Sequence, residues 1–511
     1  MRTFRPEREQ DPPVLLDHGQ GAFHDPWRKL HGLILSASTV TVNRSRGSIP
    51  PSIARLFVIG CRRHPSGGRL ALMTSDAPLT YVGFGFGAIQ AGLLLFEAFR
   101  SGAYDRLVVA EVVPETIESL RRAKGAYTIN IAHADRIEQA GVRTIEPLNP
   151  EVETDRERLI DAIASAESVG TAIPSIDHYA SPSPGSLHRV LAEGLLRKSA
   201  RDGPRMVVYT AENHNRAAEI LENLVRSALP DDRREAALSR VRFLNTVIGK
   251  MSGLVPDQSS PEARALAPFV PGSRRAFLVE AFNRILISRI QFPDEAGSPP
   301  FRRGITVFEE KEDLLPFEEA KLYGHNAAHA LGAYLGARLG VSRMASLRGI
   351  PGLMAFLRAA FLKESGDALI RKHAGVDPLF SPAGFASYAD DLLERMTNPH
   401  LMDTVERVAR DAVRKLAWED RLVGTMRLAL QMGITPKRYA IGAAAATAIA
   451  DRGRFDAGDS LAPLLFPLWA PSAPDPGEQE RVLSLVEEGR RQLRRWQSAG
   501  YPPLEDFINA G

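Results

Sequence analysis

A doubly wound parallel α/β sheet followed by a mainly α-helical half is the architecture that this 511-residue chain predicts. Three observations carry the prediction. Short apolar runs of strand length alternate with helical runs between residues 79 and 210, the pattern of parallel strands joined by crossover helices. A glycine cluster, Val82-Gly83-Phe84-Gly85-Phe86-Gly87-Ala88, separates the first strand from the first helix. After about residue 250 the strand signal fades and helical periodicity takes over. The length alone exceeds what one core holds and calls for two or more domains.

In order, 79–82 reads as a strand, the glycine cluster as a tight turn and 88–100 as an apolar helix. A second strand at 106–110 and a second helix at 114–124 follow, then strands at 168–173 and 205–210 with the helical segment 187–198 between them. The second half reads as helices at 275–287, 316–339, 352–364, 388–396, 404–416, 421–431 and 479–499. The longest apolar run, 439–450, is far short of the roughly 20 residues a membrane helix requires and reads as a buried, alanine-rich helix. The expected division is a basic leader (1–76), a nucleotide-binding domain (77–248) and a helical substrate and catalytic domain (249–511).

Composition narrows the class. With 44% hydrophobic and 24% charged residues the chain is an ordinary globular protein. Its one cysteine, Cys61, excludes an internal disulfide framework and a multi-cysteine metal site, as expected of a reducing cytoplasm. The charge of +3 is unevenly placed: residues 1–72 carry 11 Lys and Arg against 5 Asp and Glu, leaving 53 against 56 in the remainder. That leader lacks the order of a secretory signal, and its acids argue against a transit peptide. It is expected to be poorly ordered, with Met73 as a possible true start, and neither a nucleic-acid arm nor a membrane anchor. The partner expected is a small molecule, with the chain a monomer or small homo-oligomer.

The glycine cluster is a G-x-G-x-x-A motif read from Gly83 through Gly85 to Ala88, with Gly87 within it. The first two glycines permit a tight turn and the approach of a pyrophosphate; the small third residue lets helix pack on strand. Following a strand and opening a helix, it predicts a Rossmann-type dinucleotide site. Glu111, at the end of the next strand, is placed to accept from the adenosine ribose; a carboxylate there repels a 2′-phosphate and favours NAD over NADP. Thr171, at the end of the strand 168–173, is grouped with these cofactor contacts.

The second motif is Lys321-Leu-Tyr-Gly-His-Asn326-Ala-Ala-His329. On an α-helix, Lys321, Asn326 and His329 project at roughly 0°, 140° and 80°, so one face can present them to one small molecule. A proton carrier, a donor for a developing oxyanion and a group to orient a hydroxyl are what alcohol–ketone interconversion needs. The plainer alternatives are a solvated lysine and a core histidine. Against them, these residues are polar exceptions on an element lined with Ala, Leu and Gly, and burial would bring a lysine towards neutrality. His325 and His329 have metal-ligand spacing, yet no glutamate follows His325 and no cysteine is near, so no metal is expected.

Four stretches carry a resemblance to the polyol-specific long-chain dehydrogenases, the mannitol dehydrogenase family, and most to its mannitol-1-phosphate 5-dehydrogenase branch: 321–330, 211–213, 364–370 and 398–416. The resemblance implies metal-independent, NAD-dependent hydride transfer between a sugar alcohol, or its phosphate, and the ketose. It implies that Lys321 is the general acid/base, that Asn326 and Asn213 donate to the reacting oxygen, and that His329 holds an adjacent hydroxyl. Glu318 would relay the lysine's proton to solvent, and Arg407 and Lys415 would face the substrate. Where the family often has aspartate then arginine, this chain has Gly249 and Lys250. That loss of a carboxylate suits an anionic substrate, with Lys250 as a further ligand. Mannitol 1-phosphate and fructose 6-phosphate are the expected pair. A free polyol (mannitol, arabinitol), a hexuronate, and a silent NAD-binding regulator are the alternatives.

Overall fold

The structure, a computed structural model, describes residues 79–256, 260–292 and 301–509; the expected leader, with Cys61 and Met73, lies outside them. In chain order the described strands are β1 (Leu79–Phe84), β2 (Tyr104–Ala110), β3 (Tyr127–Ala132), β4 (Ile137–Val142), β5 (Ile145–Leu148), β6 (Ser168–Thr171), β7 (Met206–Thr210), β8 (Val241–Ile248), β9 (Ser252–Val255), β10 (Ala276–Glu280), β11 (Ile285–Ser288) and β12 (Phe308–Lys311). Eight form one sheet in the order β12-β11-β8-β7-β6-β1-β2-β5. From β8 to β5 every pairing is parallel, while β11 runs antiparallel to β8 and parallel to β12. The chain leaves β1 for β2 on one side and later returns to β6 on the other. That reversal of direction opens a crevice at the carboxyl ends of β1 and β6.

Burial on both faces explains why β1 and β7 read as mainly apolar runs without alternation. One face is covered by the helices Glu153–Ser165, Leu187–Ala200 and Ala217–Ala228, packed on Val82, Val108 and Val208. The other carries the helix after the glycine turn and a second sheet, β4-β3-β10-β9, around Phe86, Tyr127, Phe269 and Phe277. The doubly wound sheet and the helical second half are therefore as predicted.

Two expectations fail in this region. Residues 275–287 are not a helix but β10 and β11. Their apolar spacing passes for helical, yet β10 is buried on both faces and pairs with β3 and β9, while β11 pairs with β8 and β12. Strand pairing consequently runs on to Lys311, so the expected boundary at 248 cuts off four strands of the sheets.

Beyond β12 the chain is helical. Helices Ala327–Arg338 and Lys437–Ala450 are buried almost all round, the second being the expected alanine-rich element. The long helix Pro476–Ser498 packs on it so closely that Gly489 sits against the backbone of Ala440. Among the described residues no helix is long and apolar enough to cross a membrane. At Gln90–Leu94, Ala320–Asn326 and Phe361–Gly366 the helices widen into π turns, whose i→i+5 bonding accommodates an extra residue.

Candidate active site

The crevice at the ends of β1 and β6 is shaped by the glycine turn. Gly85 takes a left-handed conformation (φ +82°), and a Cβ there would lie 2.7 Å from the carbonyl oxygen of Ala172, so no other residue fits without displacing β6's end. Its N–H donates to Ala110 O at 2.8 Å, tying the turn to β2. Gly83 lies inside β1, not in the turn; the space beside it is filled by the Gln90 amide, which donates to the Tyr81 hydroxyl at 2.8 Å. Gly87 precedes the helix that Ala88 opens, and its carbonyl accepts from Ala91 N–H.

Glu111 stands just past β2, its carboxylate accepting from Phe86 N–H at 2.8 Å and Val113 N–H at 2.9 Å. Val112, Val113 and Val152 are 56%, 44% and 47% exposed, an apolar shelf at the ends of β2 and β5. A carboxylate fixed at a glycine turn, a helix start and an apolar shelf together fit a dinucleotide: acceptors for ribose hydroxyls, backbone donors for phosphate and a surface for the base. Thr171 is buried and its hydroxyl donates to Glu212 Oε2 at 2.8 Å. It therefore braces the end of β6 through that carboxylate, which also accepts from Ile173 N–H and the Tyr179 hydroxyl.

A cleft of about 360 Å³ opens between the carboxyl end of the sheet and the helical half. Asn213 reaches it from the loop after β7, Thr246 and Val247 from β8, and Glu318, Lys321 and Asn326 from the helix preceding Ala327. Four of the expected residues thus share one cavity. The π turn Ala320–Asn326 contributes to this: Lys321 and Asn326 are five apart, nearly half a turn out of phase on an α-helix, and the wider turn brings them towards one face. Gly324 allows it to pack on the π turn Phe361–Gly366, since a Cβ there would lie 3.2 Å from the Phe361 ring.

Burial lowers the Lys321 ammonium to a pKa of about 7, with Glu318 opposing and Arg421 reinforcing the shift. Burial likewise raises Glu318 to about 7 against the pull of Lys321. His329 is buried one turn beyond Asn326; burial lowers it to about 4, with Asp403 opposing, so its imidazole is neutral. Its Nε2 lies 3.7 Å from Asp403 Oδ2.

The expected substrate cations fall differently. Arg407 forks onto Asp403 through Nε and Nη2 at 2.7 and 2.6 Å. Lys415 donates to the carbonyls of Val408 and Arg410. Both gather behind the cleft wall near His329, and neither lines the cavity. Lys250 is misassigned: it is 1% exposed, in the short connection from β8 to β9, among Glu97, Glu280, Arg100 and Arg395. Adjacency in sequence to the end of β8 does not carry over to the side chain, which belongs to the packing of sheet on helix.

Sequence reasoning passed over Arg414, Trp418, Asp420 and Arg421, which form the outer cleft wall. Arg414 lay inside a stretch already singled out for the resemblance and Arg421 opened the segment 421–431, while Trp418 and Asp420 fell in the gap between the two. It also gave no role to Glu212, nor to Ser472, which lines the cleft from the C-terminal segment.

The comparisons match this arrangement half by half. The family model of the mannitol dehydrogenase Rossmann domain matches residues 80–294, and that of the mannitol dehydrogenase C-terminal domain matches 313–462. A mannitol-1-phosphate 5-dehydrogenase from Paenarthrobacter aurescens is 31% identical over 397 residues, covering 77% of this chain and 92% of the relative. One from Geobacillus thermodenitrificans is 32% identical over 67% of this chain and 79% of its own. Among solved structures, D-sorbitol dehydrogenase in substrate-free form superposes with a TM-score of 0.64 at 15% identity, over 84% of this chain and 95% of that one. Pseudomonas fluorescens mannitol 2-dehydrogenase, in a ternary complex with NAD and D-mannitol, gives 0.60 at 15% identity over 86% and 96%; both likenesses concern the fold. By its two matched domains and its 31% identity over most of a curated relative, the chain belongs to the mannitol dehydrogenase family.

Proposed function

We propose that this protein is an NAD-dependent dehydrogenase interconverting a secondary alcohol of an open-chain polyol phosphate and the corresponding ketose phosphate, mannitol 1-phosphate and fructose 6-phosphate being the pair best supported. The observation that carries the reading is a desolvated lysine, its pKa brought to about 7, in one cleft with Asn213 and Asn326. The relatives named mannitol-1-phosphate 5-dehydrogenase support the substrate.

In the oxidative direction the neutral Lys321 amine takes the hydroxyl proton. Asn326 and Asn213 donate to the oxygen as negative charge gathers on it. NAD, when bound, supplies the acceptor for the hydride leaving the carbon. Glu318, protonating near the same pH as Lys321, passes the proton on to solvent through the cleft it lines. In reduction the Lys321 ammonium returns the proton. Neutral His329 lies behind the cleft wall and not along it, and adds no charge beside the reacting groups. Gly85, Gly87, Ala88 and Glu111 would hold the cofactor, with Gly83 and Thr171 supporting that turn from within the sheet.

The test is NADH oxidation, followed by absorbance, with fructose 6-phosphate, fructose and tagaturonate side by side. Turnover on fructose 6-phosphate is expected, faster than on the other two. Inertness towards all three would sink the proposal.

A further inference from the structure

If the substrate carries a phosphate, none of the cations named from the resemblance is placed to take it. Lys250 is enclosed elsewhere, Arg407 is committed to Asp403, and the Lys415 ammonium donates to two carbonyls. The cleft wall holds two other cations. Arg421 is 12% exposed, donating through Nε to Asp420 Oδ1 at 2.8 Å. Arg414, 52% exposed at the mouth, donates through Nη1 to Asp420 Oδ2 at 3.0 Å. One carboxylate thus spaces two guanidiniums and leaves the group with a net positive charge. Among the described residues, the two Nη groups of Arg421 and the Nε and Nη2 of Arg414 meet no protein acceptor.

The wall is held rigidly. Trp469 donates from Nε1 to Leu416 O at 2.8 Å and packs on Trp418 with ring centroids 5.1 Å apart. Arg427 lies over the other part of that contact, 4.2 Å from the Trp418 ring. The same C-terminal segment brings Ser472, a neutral donor, to the cleft. Arg421 also acts electrostatically on Lys321, His329 and Lys415, so its charge is felt by the reacting groups of the cleft it lines.

On the proposed dehydrogenase reading, we infer that Arg421 and Arg414, spaced by Asp420, form the subsite that binds the phosphate of the open-chain substrate and so set the preference for a phosphorylated over a free sugar. Guanidinium forks match phosphate oxygens, and a phosphate monoester offers three acceptors where a carboxylate offers two. Several converging donors with Ser472 beside them suit the larger acceptor set. Exposed Glu419 joins Asp420 as an opposing charge in the segment between the two arginines, among the described residues of this wall.

The experiment measures kcat/KM on fructose 6-phosphate and on fructose, with NADH, for the full chain and for Arg421→Ala and Arg414→Ala. The ratio of the two values is expected to fall about tenfold to a hundredfold in Arg421→Ala, the scale of a lost hydrogen bond to a charged group, and by a smaller factor in Arg414→Ala. Arg421→Lys keeps the charge next to Asp420 without the fork and serves if the alanine variant does not fold; its ratio should fall between the two. Inorganic phosphate should compete with fructose 6-phosphate in the parent and lose potency in each variant. An unchanged ratio with phosphate inhibition intact overturns the subsite. So does a parent that prefers tagaturonate and ignores inorganic phosphate, which would assign a carboxylate. A parent inert towards every ketose instead overturns the dehydrogenase reading on which the subsite rests.

Discussion

Lys321 and Lys250 are both lysines whose ammonium is desolvated, at about 7 and about 8, yet they sit in opposite surroundings. Lys321 faces a cleft with an acid that titrates near it and asparagine amides around it. Lys250 is closed in by the carboxylates of Glu97 and Glu280 and the guanidinium of Arg395, which forks onto Glu280, reaches Asp391 at 2.9 Å and donates to Gly249 O at 2.9 Å. Lys198, also near 7, is held by the carbonyls of Ala166 and Pro204. A lowered lysine therefore reports burial; chemistry requires in addition an opening and groups that act on a substrate oxygen.

The comparison breaks or holds on three substitutions. Lys321→Ala should lower turnover by about a hundredfold or more, the scale of a lost general acid–base group, while NADH binding, read by fluorescence titration, stays close to the parent's. The parent's oxidation rate should rise as pH passes through about 7, as the amine becomes neutral, and its reduction rate fall; the alanine variant should lose that inflection. A variant that keeps it would move the titration to another group. Arg395→Ala should act on stability instead, taking the guanidinium from buried Glu280 and Asp391, at a cost of about 3–5 kcal/mol. Its denaturation midpoint should drop while the inflection stays at the parent's pH; a shifted inflection would join the two clusters into one. Glu111→Ala should weaken NAD and relax discrimination against NADP by about tenfold, the loss of a charged acceptor from the ribose. A cofactor preference identical to the parent's would remove Glu111 from the ribose.

Much of this was legible in the chain. The strands β1, β2, β6 and β7 are apolar runs bounded by turns, and the glycine turn with Glu111 follows a strand, so the sheet and its crevice could be read locally. Residues 275–287 could not, because their hydrogen bonds go to β3, β8, β9 and β12, remote in sequence. Lys321 and Asn326 were found as polar exceptions on their helix, Asn213 and Glu318 only through the resemblance; the cleft now unites the four. Arg421 was missed because an arginine opening an amphipathic segment looks like solvated charge until the fold puts Asp420 beside it and a cavity before it. Lys250 was misplaced for the converse reason, since the direction of one side chain at a strand end is set by what packs on it.

The π turn Ala320–Asn326 gives the site an arithmetic of its own. An ordinary helix accepts many substitutions without changing which residues share a face. Here the relation of proton carrier to amide donor depends on one surplus residue accommodated between them. Regular α-helix over the same residues would leave Asn326 about 140° from Lys321, whereas removing one residue of Leu322–His325 would set the two four apart, about 40° out of phase on α-helix, and keep them on one face. The site is thereby tolerant of a one-residue deletion that removes the π turn with its surplus residue, and intolerant of a change that straightens the turn at unchanged length.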